Sequence, residues 1–185
     1  FTSALPPFAN TRSARVAGGL GTVPRLVGEG LDIYADKLPL EEAIGRIEGI
    51  YKPYHDQLRA LIGATHKAFG MAVLVDCHSM PASIRLAEGR IRPDFIIGDR
   101  YGMSCLSDLS ETAIAHLAAC GYTVAHNKPY AGGFITEHYG RPARGIHAIQ
   151  IEINRSLFMD EETLRPHEGY DQLRFDITGL AAALI

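Results

Sequence analysis

The sequence lacks the local signatures that would declare a chemistry at once. It has no HExxH pair to seat a metal on one helix, no G-x-S-x-G elbow for a serine nucleophile, and no GK[ST] ending for a phosphate cradle. Cysteine is scarce: Cys77, Cys105 and Cys120 are the only three, with no CxxC spacing. An odd, dispersed set argues against a disulfide framework and against a thiolate metal cage. Positive charge is not in excess, since 18 Lys and Arg face 21 Asp and Glu for a net charge of −3. Nucleic acid is therefore not an expected partner. No apolar run approaches the roughly 20 residues of a membrane span, and the opening FTSALPPFANTR has no apolar core behind a basic start. A soluble, cytoplasmic protein with no membrane partner is expected.

What is present organises itself around Met71–Pro81, MAVLVDCHSMP. A continuous apolar run between Gly70 and Pro81 predicts a strand buried on both faces. Its end crowds Asp76, Cys77, His78 and Ser79 together, and strand ends are where open α/β sheets gather ligands. Upstream, residues 1 to about 30 read as a surface loop. Gly18, Gly19 and Gly21 lack phosphate-loop spacing, although Arg12, Arg15 and Arg25 there suit a carboxylate. Leu40, Ile44, Ile47, Tyr51, Tyr54, Leu58 and Leu61 share one helical face. Pro39 suits the first position of that helix, Pro53 must kink it, and Gly70 ends it. His55, just after the kink, reads more readily as structural than as a site residue.

Downstream, a polar stretch (82–92) precedes a strand at Asp94–Asp99. A helix over Ser107–Cys120, capped by Ser107 and closed by Gly121, leads to a strand at Tyr122–His126. Asn127, Lys128, Tyr130, Thr136 and His138 surround the pair Gly132-Gly133; a substrate loop and a tight turn carrying solvated residues both fit this pattern. Ile146–Asn154 is a strand with Ile149, Ile151 and Ile153 on one face and Gln150, Glu152 and Asn154 on the other. Leu173, Ile177, Leu180 and Leu184 mark a final helix. The alternation predicts one α/β domain over all 185 residues, with a mostly parallel sheet flanked by helices.

Two residues lead as carriers of chemistry. His78 ends the central strand two residues after Asp76, which could orient it; a metal-ligand role and a structural role both stay open. Glu152 lies on a buried strand, where a lone carboxylate must be paired, metal-bound or functional. Arg155 is a candidate structural partner for it. As a general base, Glu152 would deprotonate a metal-bound water and pass the proton to the leaving nitrogen. A weaker alternative uses Cys77 as nucleophile with His78 or His126 as base.

Four segments in order, VLVDCHSMP, RPDFIIGDRYG, HNKPYAGGFITEHYGRP and IQIEINRSLFMDE, resemble the N-formylglutamate amidohydrolases (N-formylglutamate deformylases). The resemblance runs from about Thr11 to the last helix. It implies a three-layer fold related to zinc carboxypeptidases and aspartoacylases (phosphorylase/hydrolase-like), with a twisted mixed sheet. It also implies zinc, or another divalent metal, and cleavage of N-formyl-L-glutamate or a related N-acyl amino acid to formate and the amino acid, as in histidine degradation. Carried onto these residues, it makes His78 a metal ligand and Glu152 the base. Asn127, Tyr130, Arg155, Arg100 and Ser79 would line a pocket for a small anionic substrate. A homo-oligomer is compatible with it. The family's opening PHSG-type and DxNR-type segments have no counterpart, and the chain starts at Phe1 within an apparent loop. The N-terminal part of the domain is therefore expected to be missing, and a non-catalytic binding domain without a metal is the alternative.

Overall fold

Pro39 stands one residue outside the first long helix rather than inside it, with φ −57° and ψ 138°. The acidic first turn of α2 (Leu40–Arg46) then complements the helix dipole through Glu41 and Glu42. Where Pro53 demands relief, the chain widens. Ile47–Tyr51 forms a π-helical turn in which Lys52 N–H reaches Ile47 O, and α3 (Lys52–Phe69) resumes α-helical pitch. The wide turn lies just ahead of the proline, whose ring and missing N–H break the regular ladder. His55 is buried on α3 against Tyr51 and Tyr54, with ring centroids 4.3 and 5.0 Å away.

The computed structural model describes residues 1–7, 9, 13–27, 30–82 and 93–185. Within these the chain resolves into two compact units, Phe1–Ala60 and Leu61–Ile185. The first holds the short helix α1 (Ala14–Ala17), α2 and the π turn. Of its three loop arginines, Arg25 is paired with Asp32 at 2.8 Å and Arg15 contacts the Leu20 carbonyl, while Arg12 lies outside the described residues. So does most of the polar stretch, from 83 to 92.

The second unit carries the sheet. Gly70 ends α3 in the left-handed region at φ 76°, a conformation that glycine adopts without a Cβ clash. Four strands follow: β1 (Ala72–Met80), β2 (Phe95–Gly98), β3 (Val124–His126) and β4 (Ile146–Asn154). Their order is β1-β4-β2-β3. β1 runs parallel to β4, β2 parallel to β3, and β2 antiparallel to β4, so the sheet is mixed. Helices α4 (Ser107–Ala119) and α6 (Gly169–Ala183) pack against one another, and α4 also packs on β2 and β3. Ser107 is the first helical residue of α4 and not its cap; Leu106 occupies that position without a side-chain bond. A short hairpin, β5 (Met159–Asp160) with β6 (Arg165–Pro166), precedes α6.

The alternation along β4 separates two environments. Ile149 and Ile151 join Phe95 and Ile97 of β2, Leu117 of α4, and Leu173 and Leu180 of α6 in the hydrophobic core. Each such large side chain contributes about 1.5–3 kcal/mol on burial. The other face of β4 presents Gln150, Glu152 and Asn154, all buried although polar. Register pairs share a face, so Asp76 and His78 of β1 stand beside Gln150 and Glu152.

One expectation fails here. β1 is not buried on both faces: Cys77, His78 and Ser79 are exposed. Among the described residues β1 is an edge strand, covered on one side by β4. A second expectation also changes, because the segment after Gly132-Gly133 is not an open loop. It winds into α5 (Phe134–Tyr139), which packs on β4 and β1.

Candidate active site

The carboxylate of Glu152 is the centre of the polar face. It is 8% exposed, and the nearest fixed donor is Gln150 Nε2 at 2.9 Å from Oε1. Burial raises its pKa, and the charge of Asp76 adds to the rise. His78, the Gln150 hydrogen bond and Arg155 pull the other way without reversing it. A carboxyl held above its ordinary range binds a proton more strongly, which is what a general base needs.

His78 stands opposite Glu152 in the β1–β4 register, with Nε2 3.2 Å from Asp76 Oδ2. His78 and Asp76 are thus in direct contact. Arg155, on the turn after β4, makes no ion pair with Glu152. Its Nε donates to Ser79 Oγ at 3.2 Å and its Nη1 lies 3.7 Å from Glu161. Ser79 therefore accepts from an arginine and, among the described residues, has no basic partner of the kind a nucleophile requires. Cys77 is no better placed, because desolvation first and Asp76 second raise its pKa and keep the thiol protonated.

The mixed sheet divides the remaining residues. β1 and β4 end in one direction; β2 and β3, antiparallel to them, end in the other. Asp76, His78, Ser79, Glu152 and Arg155 follow the first pair, whereas Arg100 and Asn127 follow the second. What links the groups is the segment after β3, which turns back over the sheet. Gly133 N–H donates to Gln150 Oε1 at 2.7 Å, and Arg100 holds the same segment through its N–H to Ala131 O at 2.7 Å and its Nη1 to Gly132 O at 3.4 Å. Arg100 Nη2 also lies 3.5 Å from Glu137. Tyr130 is exposed on this segment. Thr136 is buried and donates to Gly133 O at 2.9 Å, and His138 stacks on Phe134 with centroids 4.9 Å apart.

Asn127 is occupied in a different task. At φ 60° and 5% exposed, it accepts from Asp99 N–H at 3.1 Å and Tyr101 N–H at 3.4 Å, and donates to Asp99 Oδ1 at 2.7 Å. Its amide holds the turn after β2 together. Asp99, which sequence reasoning passed over, is the centre of that turn and also meets His126 Nε2 at 2.9 Å. Burial works to raise its pKa, but hydrogen bonds from Asn127, Gly102 N–H, Ser110 and His126 more than offset this and draw it from 3.8 down to about 2.

A carboxylate whose pKa is lowered on folding stabilises the fold above its unfolded pKa, and the gain fades as pH falls through the folded value. Asp99 should therefore contribute roughly 2 kcal/mol at neutral pH, lost between about pH 4 and pH 2. Urea midpoints of wild type and Asp99→Asn, taken near pH 7 and near pH 3, check this. The variant should be weaker at the higher pH and show a smaller drop on acidification.

A catalytic zinc takes three protein ligands and an open position. Among the described residues no group of three or more His, Cys, Asp or Glu side chains converges in that way. Among the described residues His78 and Asp76 have no third donor beside them that completes such a set. The signal for Gln150, the other residue passed over, was legible in the alternation that places it beside Glu152.

Comparison with known proteins bears on this arrangement. A family model described as N-formylglutamate amidohydrolase matches residues 4–159. The N-formylglutamate deformylase of Pseudomonas putida is 38% identical over 145 residues, covering 76% of this chain and 54% of that protein. Its namesake from Pseudomonas aeruginosa is 33% identical over 146 residues, covering 77% and 54%. The chain thus spans about half the length of the curated relatives it matches. The crystal structure of an N-formylglutamate amidohydrolase from Ralstonia eutropha JMP134 superimposes with a TM-score of 0.89 at 33% identity, over 98% of this chain and 66% of that one. The gene product Atu2144 from Agrobacterium tumefaciens shares the fold, with a TM-score of 0.60 at 22% identity over 88% of this chain and 61% of that one.

Proposed function

Because the chain belongs to the N-formylglutamate amidohydrolase family, we propose that it hydrolyses the formamide of N-formyl-L-glutamate, or of a related N-acyl amino acid. The observation that carries this reading is Glu152, a buried carboxylate with a raised pKa and one oxygen already hydrogen-bonded. In its ionised form Glu152 takes a proton from water, and the water oxygen adds to the formyl carbon. The carbon–nitrogen bond then breaks as Glu152 returns the proton to the nitrogen, releasing formate and glutamate. Arg155 and Arg100, with Ser79 and Tyr130, are the proposed surroundings of the anionic substrate, and Asn127 holds the turn that carries Arg100. Arginine suits this role because its planar fork matches a carboxylate.

Zinc, or another divalent ion, with His78 as one ligand and Asp76 orienting it, belongs to the same proposal. A metal in such a site supplies Lewis acidity and a more acidic bound water. The described donors fall short of a full set, so no step above is routed through it. Histidine degradation, a cytoplasmic location and a homo-oligomer are carried by the family resemblance alone. The second reading is a domain that binds anionic amino-acid derivatives without catalysis; among the described residues the donor set it would lack is not complete.

Formate release from N-formyl-L-glutamate, followed together with elemental analysis of the purified chain, separates these readings. The expected outcome is formate production with about one zinc per chain, abolished by a chelator and by His78→Ala. Binding of N-formyl-L-glutamate without formate would install the second reading instead. Turnover that survives chelation would remove the metal from the proposal and leave the base in place.

A further inference from the structure

One side chain between the glycine pair and Glu152 has both of its ends in use. Gln150 is 5% exposed, accepts from Gly133 N–H at 2.7 Å and donates to Glu152 Oε1 at 2.9 Å. The chemistry settles which way the amide faces. A backbone N–H can meet only an acceptor, so the carbonyl oxygen turns to Gly133 and the NH₂ to the carboxylate. The turn it grips is itself held from two sides, by Arg100 N–H on Ala131 O and by Thr136 Oγ1 on Gly133 O. On the sheet, Gln150 lies between Asp76 of β1 and Gly98 of β2.

We propose that Gln150 is the positioning residue of this site. It ties the Gly132–Gly133 turn to Glu152, occupies Oε1, fixes the plane of the carboxylate, and leaves Oε2 as the oxygen that takes the proton from water. This rests on the reading of Glu152 as the base. The bridge has a further consequence: Arg100 is hydrogen-bonded to the same segment, so anchoring an anionic substrate at Arg100 and aiming the base are mechanically linked. A base must come within about 2.6–3.2 Å of the proton it removes, and small misplacements are costly, up to about 100-fold per ångström.

Two substitutions divide the bridge at its two ends. Gln150→Glu keeps an acceptor for Gly133 N–H but sets a second carboxyl against Glu152, and two carboxyls at that distance share a proton. It should retain slow hydrogen exchange at the Gly133 amide and keep KM for N-formyl-L-glutamate within about threefold, while kcat falls about 100-fold. Gln150→Met keeps the volume and loses both bonds. It should speed exchange at Gly133 and lower kcat by a comparable factor. Wild-type kcat in Gln150→Glu, or wild-type Gly133 exchange in Gln150→Met, overturns the proposal. If the unsubstituted chain releases no formate, the reading of the reaction fails on its own, and Gly133 exchange in Gln150→Met still decides the bridge.

Discussion

Replacing Glu152 by Gln is expected to lower kcat for formate release by about 10²–10⁴-fold while leaving the fold intact. The substitution keeps the shape of the side chain and an oxygen for the Gln150 amide, but removes the basic oxygen. Its effect on stability should run the opposite way to its effect on activity. Burial, with Asp76 second, raises the Glu152 pKa above 4.5. A carboxyl with a raised folded pKa stabilises the fold fully at low pH, and that contribution is lost as pH rises through the folded value. Gln is neutral throughout and does not suffer the loss. At neutral pH the variant should therefore unfold at the same urea concentration as wild type or a higher one. The pH profile of kcat/KM in the wild type should have its acidic limb above the ordinary glutamate range, since only the ionised base is competent. Near-normal turnover in Glu152→Gln would remove this residue from the chemistry altogether.

The second large effect is expected from a residue with no functional group. A Cβ built on Gly98 would lie 2.7 Å from the carbonyl carbon of Ala131, 2.8 Å from Gly132 N and 3.0 Å from Ala131 O. All three are backbone atoms, so no rotamer change relieves the clash and the returning segment must move off the sheet. Gly98→Ala should cost about 1–3 kcal/mol, the usual penalty of overpacking. Because Gly133 on that segment holds Gln150, and Gln150 holds Glu152, the shift should also lower kcat/KM by about 10–100-fold. Urea denaturation and formate release on the same preparation test both parts. A variant as stable and as active as wild type would show that the segment yields freely and that its contact with the sheet does not set the base.

Periodicity along the chain determined a good deal of this protein. β4 runs over Ile146–Asn154 as its alternation requires, and that alternation alone puts Glu152 on a polar face opposite the isoleucines. Gly70 and Gly121 end helices where a left-handed residue is needed. The four motifs pointed to the family that the comparisons then identified. These features are local: each depends on residues within a few positions of one another.

Tertiary structure decided the rest, because it depends on pairings that no spacing encodes. The antiparallel meeting of β2 and β4 sends Arg100 and Asn127 away from the end of β1 that carries His78. Among the described residues strand order makes β1 an edge, and His78 is exposed where the apolar run predicted full burial. Asn127 spends its amide on Asp99, a partner 28 positions away. The link from Gly133 through Gln150 to Glu152 exists only because Gly98 leaves room for a backbone to return across the sheet. A sequence shows which groups are present and which face they take within one element; which groups meet is set by how strands pair and where a missing side chain permits close approach.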